Sequence, residues 1–117
     1  MICLSASTRI FIALGATDMR KGFDGLSGLV SSQIKQDPLS GAFFLFVTRR
    51  RDRMKVLYWD GDGLAIWYRR LEQGTYRLPK ASSDASSIEM RSDEFTMLLR
   101  GIDLEKVERH KRFSLAS

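Results

Sequence analysis

Five cations fall within seven positions, Arg49, Arg50, Arg51, Arg53 and Lys55, broken only by Asp52 and Met54. Guanidinium groups at this density match the oxygens of phosphate groups, which they bind as two-pronged forks. Arg69 and Arg70 follow at a distance that lets an antiparallel neighbour return to the same surface. The chemistry is polyanion binding, and nucleic acid is the commonest polyanion. Charge placement supports it: the formal net charge is +5, and residues 49–80 alone hold nine Lys/Arg against four Asp/Glu, while the flanking segments nearly balance. A solvated loop without a partner has the same residue types but gives no reason for that segregation. Phosphate contacts position a protein without reading bases, so these residues imply no sequence specificity.

Tyr58, Trp59, Trp67, Tyr68 and Tyr76 interleave with the charges. Aromatics on a sheet surface stack on unpaired bases, but strand alternation sends Tyr58 and Trp59 to opposite sides, and likewise Trp67 and Tyr68. Most of the five are therefore expected in the core. A second charged cluster, Asp18, Arg20, Lys21 and Asp24, places cations in an expected first helical turn, against the helix dipole. It suits a bound anion or a protein partner, or else forms a charge network on a solvated face. Asp60 and Asp62, with Asp18, Asp24 and Glu72, raise the question of a two-metal nuclease. Asp-Gly pairs are also the favoured residues of tight hairpin turns, which accounts for Asp60 to Gly63 without metal.

Other chemistries are excluded by composition. Cys3 and His110 are the single cysteine and histidine of the 117 residues, too few for a disulfide framework, a zinc site or a histidine-based metal centre. A triad would have to use His110, which stands in the charged run Glu108 to Arg112. No cofactor is expected. The longest apolar run, Phe43 to Val47, is far short of the roughly 20 residues that span a bilayer, and neither a membrane span nor a signal peptide is expected.

The elements that must carry these residues follow from patterning. Thr8 to Leu14 is rich in β-branched and aromatic residues and predicts a strand ending at Gly15. Met19, Phe23, Leu26, Val30 and Ile34 form one helical stripe, predicting a helix from about 18 to 36, capped by Thr17 or Asp18 and stopped at Asp37-Pro38. Gly22, Gly25 and Gly28 inside it imply close packing or a later start. Phe43–Val47 reads as a strand buried on both faces, and Arg49 to Asp52 as its loop. Arg53–Trp59 and Leu64–Leu71 continue as an antiparallel meander around the Asp60–Gly63 turn, and Thr75 to Leu78 as a further short strand. Ser87–Met90 can add another strand after the small, polar connection 81–87. Ser92 opens an incomplete capping box with Phe95 at its third position, before a helix carrying Phe95, Leu98 and Leu99 to about residue 101.

Several of these motifs together resemble a known family. Thr17-Asp18-Met19-Arg20-Lys21-Gly22-Phe23-Asp24-Gly25-Leu26, the stretch Arg50 to Gly61, Arg69 to Gly74 with Leu78-Pro79, and Leu98 to Asp103 are similar to the small TnpB or Orf2-like accessory proteins of the insertion sequence 66 group of bacterial transposable elements. The resemblance covers about residues 10–103 and departs at Arg69, where Lys is frequent, and at Leu78, where Trp is frequent. It implies a protein encoded beside a transposase and needed, with a second small accessory protein, for efficient transposition. The much larger RNA-guided nuclease that shares the TnpB label is unrelated.

The combined expectation is a single α+β domain over residues 1–117, an antiparallel sheet of four or five strands packed with two helices, one sheet face forming the core. Residues 8–104 are its ordered part and 105–117 a mobile tail. The expected role is that of a non-enzymatic bacterial cytoplasmic accessory factor. It would bind DNA, in particular the element ends, through Arg49, Arg50, Arg51, Arg53, Lys55, Arg69 and Arg70, and bind the transposase or the second accessory protein through Asp18, Arg20, Lys21 and Asp24. The alternatives are an adaptor that binds the transposase without touching DNA and, less favoured, a small metal-dependent nuclease.

Overall fold

A computed structural model describes residues 4–82 and 84–101. Cys3, His110, the closing Ile102-Asp103 of the family-like motif and the expected tail 105–117 lie outside the described residues.

The strands are β1 (Ile10–Ala13), β2 (Phe43–Val47), β3 (Arg53–Trp59), β4 (Leu64–Arg70) and β5 (Ser87–Met90), and they lie in one sheet in the order β4-β3-β2-β1-β5. The two helices are α1 (Phe23–Leu29), which widens into a π-helical turn over Val30–Ile34, and α2 (Ser92–Leu99). The expected α+β architecture is present, with the meander β2-β3-β4 antiparallel as its turn residues require. One pair departs from an antiparallel sheet: β1 and β2 run parallel, Ile10 opposite Phe43 and Ile12 opposite Leu45. The cause is the connection between them, since a strand followed by a helix returns to the sheet as a crossover. β5 then adds antiparallel to the free side of β1, with Ile12 opposite Ile88.

That crossover places α1 on one sheet face and leaves the other to α2, so both faces are core, where one was expected. Ile10, Ile12, Phe43, Leu45, Val47, Met54 and Val56 pack with Phe95 and Leu98 of α2. Phe11, Ala13, Phe44, Phe46 and Leu57 pack with Leu26, Val30 and Ile34 of α1. The uninterrupted apolar run of β2 is the sequence trace of this arrangement, and all five of its residues are buried.

The first helix begins five residues later than its apolar stripe suggests. Asp18 folds back on its own backbone instead: its carboxylate accepts from Arg20 N at 2.9 Å and its carbonyl from Lys21 N at 3.1 Å. Short polar side chains compete with helix in this way. Gly22 becomes the N-cap, and Phe23 is left about half exposed. Of the three glycines, only Gly25 is crowded, because a Cβ there would lie 3.1 Å from Cβ of Lys21. The helix stops before Asp37-Pro38, at Lys35, which adopts left-handed geometry with φ 61°. Gln33 joins it to both neighbouring strands, its side-chain amide donating to the carbonyls of Leu14 (2.8 Å) and Ser86 (2.9 Å).

Two further corrections concern local structure. Thr75–Leu78 is not a strand; it is an irregular segment that buries Tyr76 and contacts the β2–β3 loop through a bond from Tyr76 N to Arg51 O at 2.6 Å. The cap of α2 is shifted by one residue, with Arg91 at the N-cap and Glu94 reaching back to accept from Arg91 N at 2.9 Å.

Candidate nucleic-acid interface

Parallel strands bring their following loops to the same end of a sheet, and in open α/β sheets that end is where ligands bind. The loop after β1 and the loop after β2 meet there, Thr17 N donating to Val47 O at 2.8 Å with Thr17 buried. Two segments separated by some thirty positions thereby line one open groove of about 530 Å³. Asp18 and Arg20 come from the first, Arg49, Arg50 and Arg53 from the second, and Tyr68 of β4 joins them. The two clusters expected to serve separate partners thus meet in part: Asp18 and Arg20 of one and Arg49, Arg50 and Arg53 of the other line the groove, whereas Lys21, Asp24, Arg51, Lys55, Arg69 and Arg70 do not.

Within the loop, Thr48 and Arg53 keep the hairpin closed through Thr48 N to Arg53 O at 3.2 Å, and Arg51 N donates to Thr48 O at 3.0 Å. Asp52 is held inward by the Thr48 hydroxyl at 3.1 Å, and its carbonyl accepts from Leu71 N at 2.7 Å. Arg51 sits at φ 59°, a conformation normally left to glycine, asparagine or aspartate. A charged residue at a glycine-type position adds a guanidinium at the tip at a conformational cost. Among the described residues, the guanidinium groups of Arg49, Arg50, Arg51 and Arg53 have no ion-pair or hydrogen-bond partner, and all four residues are exposed.

The other expected cations behave differently. Arg70 lies opposite Arg53 on the α1 side of the sheet and pairs with Glu72 at 3.0 Å. Arg20 pairs with Asp18 at 2.7 Å; its guanidinium, with the Arg20 amide, holds the Asp18 carboxyl down to about 2. Asp18 is therefore an anion throughout the physiological range, and no ion pair extends this couple to Lys21 or Asp24 among the described residues. Lys55 is directed inward: its ammonium donates to the carbonyls of Met19 (2.7 Å) and Lys21 (2.9 Å) and lies 5.0 Å from the centre of the Tyr68 ring. It is a clasp that fastens the segment before α1 to β3, and so positions the groove without lining it. Lys55→Ala is expected to lower stability by about 1–2 kcal/mol and to speed amide hydrogen exchange at 16–21 while β2 and β3 stay protected. Unchanged exchange in that segment would remove the clasp.

Arg69 is on the opposite face. Opposite Met54 in the register, it points to the α2 side, donates to the Tyr76 hydroxyl at 3.0 Å and to the carbonyl of Leu99, and lies 5.5 Å from the ring centres of both Trp67 and Tyr76. The structure does not bring it together with the hairpin arginines. Alternation divides the aromatics in the same way. Tyr58 packs on Phe43 with ring centres 5.0 Å apart, Trp67 borders the same core and Tyr76 is fully buried, whereas Tyr68 is 48% exposed in the groove.

Asp60 caps its turn, accepting from Asp62 N at 2.9 Å and Gly63 N at 3.0 Å, and these bonds lower its pKa. The carboxylates weighed for metal binding form no cluster of metal-ligating groups among the described residues. The groove residues missed by sequence reasoning are Ala16, Thr17, Met19 and Thr48. Thr17, four residues past the end of β1, read only as a helix-cap candidate, and nothing in the sequence pointed to Val47.

No described helix is long and apolar enough to cross a membrane. Comparison with known proteins gives a consistent result. A family model described as IS66 Orf2 like protein matches residues 8–109. Two proteins of Sinorhizobium fredii are similar along nearly their whole length. Uncharacterized protein y4jC is 37% identical over 109 residues, covering 93% of this chain and 92% of that protein. Uncharacterized protein y4hO is 35% identical over 103 residues, covering 88% of each. No solved structure matches significantly. The family match spans both loops that build the groove, and with relatives of this identity and coverage the chain belongs to the IS66 Orf2-like family, whose members are accessory proteins of insertion-sequence transposition.

Proposed function

We propose that this protein serves transposition without catalysing it, by binding DNA of the element through the β2–β3 hairpin tip. The observation that carries the reading is the set of four exposed guanidinium groups at Arg49, Arg50, Arg51 and Arg53, unpaired among the described residues, while the neighbouring Arg20 and Arg70 are neutralised by carboxylates. Unpaired surface arginines repel one another in the free protein, and that repulsion is relieved when they bind phosphates of the duplex and displace the counterions condensed there. Lys55 and Arg69 support the surface from behind and do not contact the nucleic acid. Asp18 and Arg20, on the rim of the same groove, fit contacts to the transposase or the second accessory protein once DNA is bound. Cytoplasmic location in the bacterial cell follows from this role.

The test is fluorescence anisotropy of the protein with a terminal-repeat duplex of the element, a scrambled duplex and polyglutamate, each at two salt concentrations. The reading expects both duplexes to bind with an affinity that falls steeply with salt. Polyglutamate binding as tightly as either duplex, or no duplex binding at low salt, would turn the arginines toward a protein partner.

A further inference from the structure

Resting on the reading of the hairpin as a nucleic-acid surface, we infer that the groove between the loops after β1 and β2 takes an unpaired nucleotide of single-stranded DNA, its base stacked on Tyr68 and its flanking phosphates on Arg49, Arg50 and Arg53. Four observations converge. First, Tyr68 is a large aromatic left 48% exposed, although its strand offers a core on the opposite face, where Trp67 packs. Second, the ring is fixed: Lys55 lies over it at 5.0 Å and is itself held by the carbonyls of Met19 and Lys21. A platform that is already ordered loses little rotamer freedom when a base lands on it. Third, the guanidinium groups that share its groove are those without partners among the described residues, except for Arg20. An aromatic face bordered by phosphate-binding cations is the recurring arrangement of single-strand sites, in which every base offers a ring to stack and the backbone follows the charge.

Fourth, the exposed ring favours a strand over a duplex. The groove is open, at about 530 Å³, a volume in the range that takes ligand-scale groups, about 300–1,000 Å³. Bases in a duplex stack on each other and are not free to lie on a protein ring, whereas an unpaired base can be splayed onto it. The Asp18 carboxylate on the rim is the one anionic group of the lining. It is compensated by Arg20 at 2.7 Å, whose backbone and guanidinium groups engage both its oxygens, so it does not repel the strand as a free anion would.

The experiment titrates the full chain against fluorescein-labelled oligothymidylate and against a duplex of equal length at equal salt, using the natural protein, Tyr68→Ala, Tyr68→Leu, Tyr68→Phe and the Arg50→Ala/Arg51→Ala/Arg53→Ala variant. The expected result is tighter binding of the single strand, lost by roughly tenfold in Tyr68→Ala and Tyr68→Leu, retained in Tyr68→Phe, with the duplex affinity of all three unchanged. The salt slope stays constant across the Tyr68 series, because stacking releases no counterions, and falls in the arginine variant. Leu fills the space of the ring without its π face, so a thermal melt matching the natural protein shows that the loss is not unfolding. Single-strand affinity unchanged in Tyr68→Ala, or a loss in Tyr68→Phe as large as in Tyr68→Ala, overturns the stacking site. If the arginine variant still loses affinity in that case, the hairpin reading stands alone; if neither series changes binding, both fall.

Discussion

Arg69→Ala is expected to destabilise the protein by about 2–4 kcal/mol and to leave its DNA affinity untouched at temperatures where it remains folded. Arg69 was one of seven cations that composition assigned to the polyanion surface, yet its guanidinium bridges three parts of the α2 face. It donates to the hydroxyl of the fully buried Tyr76 and to the carbonyl of Leu99, and it lies between the rings of Trp67 and Tyr76. Removing it leaves the Tyr76 hydroxyl and the last turn of α2 without a donor, and an unsatisfied buried acceptor costs more than the bond contributed. The loss corresponds to a melting temperature lower by about 10 °C or more for a chain of this size. Tyr76→Phe, which removes the acceptor and keeps the ring, should lose less than Arg69→Ala. Arg69→Lys should not restore stability, since an ammonium cannot reproduce the planar fork between two rings. Full stability in Arg69→Ala together with weakened DNA binding would place the side chain back in the interface.

The Arg50→Ala/Arg51→Ala/Arg53→Ala variant is expected to do the opposite: melting within about 0.5 kcal/mol of the natural protein, and duplex affinity lower on the order of 100-fold at moderate salt, with the logarithmic salt slope reduced by about 2 to 3. Stability is preserved because the three side chains are exposed and make no bonds among the described residues, so their loss vacates no cavity and orphans no buried group. The hairpin itself is closed by backbone contacts and by Thr48 with Asp52, which the variant retains. The slope change follows from counting phosphates: each guanidinium that no longer neutralises one leaves a counterion condensed on the duplex. Affinity and slope equal to those of the natural protein would remove the hairpin tip from DNA binding. Taken together, the two variants separate arginines that hold the fold from arginines that face outward.

How legible this was depended on the range of the interaction. Asp60-Gly61-Asp62-Gly63 forms its turn from its own side chain and backbone, and the bounds of β2, β3 and β5 could be drawn residue by residue, because alternation and turn chemistry are local. The parallel pairing of β1 with β2 could not, since it is decided by where the returning strand docks after the helix, and with it went the meeting of the loops after β1 and β2. The late start of α1 was hidden for a different reason: Met19 and Phe23 continue an apolar stripe, but Asp18 bonds to Arg20 and turns the chain before a helix can form. The division of Arg69 from Arg70 was available in the sequence. The alternation that separates Trp67 from Tyr68 also requires two consecutive arginines to face opposite sides, so no more than one of them belonged beside Arg53. The inward turn of Lys55 had no such trace, because its acceptors are backbone carbonyls some thirty-five positions away.

The central claim is that the loop after β1 and the hairpin tip form one surface that meets nucleic acid, and amide chemical-shift mapping during titration with DNA tests it most directly. The account predicts that resonances of 17–20, 48–53 and Tyr68 move together along one binding curve, while Arg69, Tyr76 and 95–99 on the opposite face stay in place. Shifts confined to the α2 face, or shifts in the hairpin with residues 17–20 unmoved, would contradict it.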